Sequence, residues 1–210
     1  MALAAANPIA TRAATGEPDT QLWSELDVSA PLGENTTIIG LGQLRLSESL
    51  SNPVLTTLGV ELSYKTGEWT LGGGYRHQVT PNREGEDVKV TQLAVMRATW
   101  TRRFGRSTIA IRTRADNTIN AESNPWIARF RLEYRWATEN LRPISYLYSS
   151  DEVFYRFAVS EFYRNRFQAG LNLMFGERLS MRLYYQRQDS EDQTPAAINA
   201  LGLLFEFAFK

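Results

Sequence analysis

Hydrophobic and polar residues alternate one by one along most of the chain, a pattern that predicts strands rather than helices. The alternation is clearest between Trp126 and Trp136. Apolar or aromatic residues fill every second position there, and charged residues fill most of the positions between them. A strand directs successive side chains to opposite faces. This stretch therefore has an apolar face bounded by two tryptophans and a charged face.

Similar alternation predicts eleven strand-like stretches, bounded by segments that contain Gly, Pro, Asn or Asp. They cover residues 21–28, 37–46, 54–65, 69–79, 88–100, 107–115, 126–136, 144–157, 164–175, 179–187 and 201–209. Short connections alternate with longer ones, as in outer-membrane barrels, whose periplasmic turns are short. The chain contains no stretch of 18 apolar residues, so the sequence predicts no transmembrane helix.

The pattern predicts an all-β fold, an antiparallel up-and-down transmembrane β-barrel, over residues 20–210. The alternative is a soluble sandwich or lipocalin-like barrel, in which the apolar faces form the core. Residues 1–19 are predicted to be a flexible N-terminal segment. The small residues before Asn7 also resemble the end of a secretory signal peptide.

Aromatic residues favour the membrane barrel, because many of them fall beside the short turns and Trp and Tyr collect at membrane–water interfaces. Trp126, after a long connection, would mark the opposite interface. The candidate interface aromatics are Tyr64, Trp69, Trp100, Trp126, Trp136, Phe175 and Phe209.

The strand number raises a difficulty, because eleven strands joined by hairpins leave the first and last strands parallel. Bacterial barrels close with an even, antiparallel set. We therefore expect about twelve strands, with an added strand within residues 8–14. Ten strands are the alternative, if one of the eleven stretches merges with another or is lost.

Composition limits the possible functions. The 23 basic and 23 acidic residues balance, so no nucleic-acid partner is expected. Nearly all basic residues are arginines, which keep their charge when desolvated and pair with carboxylates. The chain has no cysteine, which excludes disulfides and thiolate sites, and no metal or other cofactor is expected.

The polar faces of the strands would line the interior of a membrane barrel. The candidate lumen-lining residues are Arg45, Glu61, Arg76, Arg97, Arg112, Arg114, Arg129, Arg131, Glu133, Arg135, Arg182 and Glu206. Isolated charges in a low-dielectric interior are unfavourable, so water or pairing must compensate them. The interior is therefore either an arginine–carboxylate network that fills the barrel or a wet passage that favours anions.

Enzymatic activity is not expected. The only histidine is His77, and its neighbours Arg76 and Gln78 fall on the inward parity, which turns His77 outward. The Ser expected two residues after the His of an outer-membrane hydrolase is absent, because Val79 stands there.

Five short segments resemble a known bacterial family of outer-membrane barrels, domain-of-unknown-function family 2490. They are QLWSEL at residues 21–26, GGGYRH at 72–77, SDEVFY at 150–155, YRNRFQAG at 163–170 and LYYQRQ at 183–188. The resemblance covers about residues 21–210. It implies a barrel fold and an outer-membrane location, and it implies no activity.

These observations predict a bacterial outer-membrane protein in contact with lipid and lipopolysaccharide. We expect a narrow, porin-like pore with an arginine-rich lumen. The alternative is a closed barrel that serves as a structural or accessory subunit and binds other envelope proteins. An outer-membrane hydrolase is a more distant alternative.

Overall fold

A computed structural model describes residues 18–47, 52–81, 88–121, 125–139, 141–191 and 195–210. These residues form a closed barrel of eleven strands. The strands are β1 (Asp19–Pro31), β2 (Thr36–Ser47), β3 (Asn52–Thr66), β4 (Trp69–Pro81), β5 (Val88–Phe104), β6 (Ser107–Thr118), β7 (Trp126–Ala137), β8 (Ile144–Arg156), β9 (Glu161–Phe175), β10 (Leu179–Ser190) and β11 (Ala197–Ala208). Each of the eleven predicted stretches corresponds to one of them.

Each strand pairs antiparallel with the next along the chain, and the barrel closes where β1 pairs with β11 in parallel. The closing register runs from Asp19 opposite Ile198 to Ser29 opposite Ala208. An odd number of hairpin-connected strands leaves the first and last pointing the same way, so closure between them must be parallel. The expectation of twelve or ten strands is therefore wrong for the described barrel.

The strand predicted within residues 8–14 lies outside the described residues, as does most of the predicted flexible segment 1–19. β1 begins at Asp19. It pairs with β2 on one side and with β11 on the other, so no edge is left at the closure for a further strand.

The outer surface carries an apolar belt, to which every described strand contributes at least one exposed hydrophobic side chain. The most exposed member is Leu58, at 63%. One representative from each strand, in chain order, is Leu26, Leu44, Leu58, Leu71, Met96, Ile111, Leu132, Leu147, Phe167, Leu183 and Leu201. Such a belt is far larger than the scattered apolar residues that soluble proteins expose.

The predicted interface aromatics lie near the strand ends. Trp126 begins β7 at the end with the longer connections, while the other six lie toward the opposite end. Trp100 is half-buried, and its indole Nε1 donates to Glu68 Oε2 at 2.9 Å, whereas the others are exposed.

The described part of the chain contains no helix that is long and apolar enough to cross a membrane.

Candidate functional site: a charged cavity inside the barrel

A cavity of about 750 Å³ lies inside the barrel. On β7 its lining runs from Ile127 to Arg135, which is nearly the full strand. Strand alternation accounts for this lining, because Arg129, Arg131 and Glu133 point inward while the residues between them face outward and are exposed. The cavity therefore follows the barrel axis past most of the height of the wall.

Basic side chains outnumber acidic ones along the described lining. The basic residues are Arg45, Arg76, Lys89, Arg97, Arg112, Arg114, Arg129, Arg131, Arg135, Arg156, Arg164, Arg166 and Arg182. The acidic residues are Glu25, Asp27, Asp116, Glu133 and Glu206. Glu61 and Glu152 are nearly fully buried beneath arginines of this lining. Along the described lining, basic side chains are therefore in excess.

The first carboxylate centre is Glu61 on β3, which binds two arginines. Arg76 forms a short ion pair with Glu61 Oε1, and Arg97 Nε lies 3.3 Å from Oε2. Gly74, opposite Glu61 in the register, leaves room for this side chain, because a Cβ there would lie 2.7 Å from Glu61 Cγ. Because Gly74 has no side chain, the Glu61 side chain has room against the inner wall.

The second centre joins Glu152 on β8 to Asp116 on β6. Glu152 is 2% exposed and is contacted by Arg112 and Arg129 at 2.8 Å and by Arg166 at 3.5 Å. Arg129 also reaches Asp116 at 3.5 Å, and Arg114 contacts Asp116 at 2.5 Å. Arg129 therefore bridges the two carboxylates, and four arginines share them.

The third centre is Glu133 on β7. Its carboxylate contacts Arg131 at 2.9 Å, Arg135 at 2.5 Å and Arg182 at 3.8 Å. Arg182 also lies 3.7 Å from Glu206 on β11. This network extends the pairing across the interior, from β7 to the closing strand.

Aromatic rings cover the part of the wall formed by β1 and β8–β10. The buried rings belong to Trp23, Tyr148, Phe154, Tyr163 and Tyr184. Arginines stack on several of them, with the guanidinium carbon of Arg45 3.6 Å from the Trp23 ring centroid. Cation–π contact stabilises a guanidinium without neutralising it. The aromatic wall therefore keeps positive charge inside the barrel.

Of the twelve residues predicted to face the lumen, all but Glu61 line this cavity, and Glu61 lies beneath Arg76 and Arg97. His77 is not part of the lining, whereas its neighbours Arg76 and Gln78 are. No group of His, Asp or Glu within the described segments has the arrangement needed to hold a metal ion.

Several interior groups are not evident from the alternation in the sequence. Asp116 continues the inward parity of Arg112 and Arg114, but the predicted strand ends at residue 115, whereas β6 continues to Thr118. On β8, aromatic and polar side chains share the inward face, so Tyr148 and Phe154 are buried where alternation predicts no aromatic. Extending the parity of β6 by one step would have identified Asp116.

Comparison with known proteins gives one family. The model of the family described as "Protein of unknown function (DUF2490)" matches residues 20–199. No curated protein matches the chain. Among solved structures, the anion-selective porin from Comamonas acidovorans aligns with a TM-score of 0.40 and 9% identity, over 85% of this chain and 54% of the porin. The chain thus spans about half the length of that porin.

Proposed function

The chain belongs to the DUF2490 family of proteins of unknown function, and from its closed barrel we propose a narrow, anion-preferring channel in the bacterial outer membrane. The proposal has two parts, a location in the membrane and a passage through the barrel. The first rests on the outer surface, and the second rests on the cavity.

The apolar belt supports the membrane location. Mid-strand residues such as Leu58, Leu132 and Leu201 are more than half exposed, so water would contact a continuous apolar ring. Contact between water and apolar surface is unfavourable, whereas lipid chains would cover that ring without this cost. Aromatic side chains near both ends of the strands fit the two interfaces. Lipid and lipopolysaccharide are then the surrounding partners.

The excess of arginine along the cavity is the observation that carries the channel proposal. Carboxylates neutralise only part of this charge, because each buried centre is shared by two or more arginines. Charged groups that line a pore select ions of the opposite sign. An axial cavity with this lining favours anions over cations. We propose no catalytic role for the chain.

Conductance in planar lipid bilayers tests the channel directly. Purified, folded protein should produce discrete current steps in potassium chloride. Arg112→Gln and Arg131→Gln should reduce the preference for chloride, because each removes a charge from the cavity lining while Glu152 and Glu133 keep other arginine partners. Folded protein without any current would contradict a channel.

The ion-pair networks favour a second candidate, a closed barrel that acts as a structural or accessory subunit of an envelope complex. Arg182 on β10 links Glu133 on β7 to Glu206 on β11 through the interior. If side chains fill the passage, the rigid barrel serves as a scaffold for other envelope proteins. Absence of conductance together with stable membrane insertion would support this function over the channel.

A further inference from the structure

Five arginines on three neighbouring strands form a patch on the cavity wall. They are Arg97 on β5, Arg112 and Arg114 on β6, and Arg129 and Arg131 on β7, and all five line the cavity. We refer to them as the arginine patch.

The register places these like charges directly opposite one another. Arg97 pairs with Arg114, Arg114 pairs with Arg129, and Arg112 pairs with Arg131. Side chains in such positions have Cβ atoms about 4.5–5.5 Å apart, and like charges there destabilise a sheet. Three such pairs side by side are unfavourable unless negative charge lies close by.

The carboxylates of the protein supply only part of that negative charge. Glu61, Asp116, Glu133 and Glu152 contact the patch, and three of them also bind arginines outside it, namely Arg76, Arg135, Arg166 and Arg182. Even with Glu206 included, these nine arginines share five carboxylates within the described residues. A positive surplus therefore remains beside the cavity.

Hydrogen-bonding capacity also remains. The side chains of Arg112, Arg129 and Arg131 line the cavity and keep 23%, 13% and 15% of their surface exposed, so part of each side chain is open to a solute. A guanidinium carries five donors in a planar fork that matches the oxygens of carboxylate and phosphate groups. The patch therefore combines surplus charge with guanidinium groups that line the cavity.

From this arrangement we propose that the arginine patch binds a divalent oxyanion, a sulfate- or phosphate-type group, inside the barrel. Two negative charges compensate the opposed arginines better than one, and several oxygens accept from more than one guanidinium at once. The group is either an inorganic anion or part of a small organic phosphate or sulfate. The inference rests on the proposed function only in that solutes must reach the interior.

Calorimetric titration of folded protein in non-ionic detergent micelles tests the site without any need for current. Sodium sulfate at constant ionic strength should bind saturably, at least about tenfold more tightly than chloride. The double variant Arg112→Gln/Arg131→Gln should bind sulfate at least about tenfold more weakly, which corresponds to about 1.4 kcal/mol. A single strong charge-assisted hydrogen bond accounts for a loss of that size.

The matched control is Arg102→Gln/Arg103→Gln, which removes the same charge from exposed positions near the turn between β5 and β6. It should bind sulfate like the unaltered protein. Equal weakening in both double variants would overturn the site, because the effect would then follow net charge alone. Absence of saturable sulfate binding by the unaltered protein would overturn it as well.

A second readout covers the case in which the patch variant does not fold. At concentrations of a few millimolar, where the general stabilising effect of sulfate is small, sulfate should raise the thermal unfolding midpoint of the unaltered protein saturably and more than chloride does at equal ionic strength, because a ligand stabilises the state that binds it. Equal shifts would overturn the proposal. Conductance without sulfate binding would contradict this site and leave the channel proposal intact. Sulfate binding without conductance would support the site and contradict the channel.

Discussion

The Tyr184 hydroxyl on β10 donates a hydrogen bond to Glu25 Oε1 on β1 at 2.6 Å. Between these two strands lies β11, and the Tyr184 ring crosses it at Gly202, where a Cβ would lie 2.0 Å from the ring. The contact therefore spans the parallel β1–β11 closure from inside the barrel. It joins β10 to β1 across the closing strand β11.

Gly202→Ala should destabilise the barrel by about 1–3 kcal/mol, because the added methyl displaces the Tyr184 ring and overpacks the wall. Unfolding of lipid-inserted protein by urea measures the loss. Gly33→Ala is the control, since nothing lies within 4 Å of a Cβ there, and its effect should stay within about 0.5 kcal/mol. In a Tyr184→Ala background, Gly202→Ala should have little further effect. A full loss in that background would show that the ring is not the cause.

Glu152→Gln should destabilise the barrel by about 3–5 kcal/mol, because it leaves Arg112, Arg129 and Arg166 without the carboxylate that they share. The same urea titration measures it. Glu139→Gln is the matched control, because Glu139 also pairs with an arginine, Arg106, but both side chains are exposed. Its loss should be at most about 1 kcal/mol. Similar losses for the two variants would contradict a structural role for the buried network.

Leu132→Arg tests the membrane location, since Leu132 faces outward in the middle of β7 and is 55% exposed. An arginine at the bilayer midplane should destabilise the inserted barrel by about 2–4 kcal/mol. Trp126→Arg, on the same face at the end of the strand, should lose only about 0–1 kcal/mol from the charge because of its interfacial depth. Urea unfolding in liposomes compares the two. A barrel that stays folded without detergent, and gains solubility from Leu132→Arg, would contradict insertion.

The sequence predicts the walls of this barrel better than its closure. Strict alternation, as between Trp126 and Trp136, determines which side chains lie inside because only one register buries the charged face. It contains no information on whether the first strand pairs with the last. The even strand number of bacterial barrels predicts twelve or ten strands, which is wrong for the described barrel. The parallel pairing of Asp19 with Ile198 is seen only in the structure.

The partners of the interior charges are also invisible in the sequence. Parity places Arg112 and Arg131 on inward faces, but their opposition depends on the register between β6 and β7. Glu152 contacts arginines on β6, β7 and β9 because the curvature of the barrel wall brings their inward-facing side chains together. The positions of such centres follow from the closed shape, which alternation along a single strand does not encode.

The reversal potential of the open channel tests the central proposal most directly. Folded protein is inserted into a planar bilayer with a tenfold potassium chloride gradient, and the voltage of zero current is measured. The arginine surplus along the cavity predicts a potential whose sign follows chloride, with chloride more permeant than potassium. A potential whose sign follows potassium, or no current from inserted protein, would contradict an anion-preferring channel.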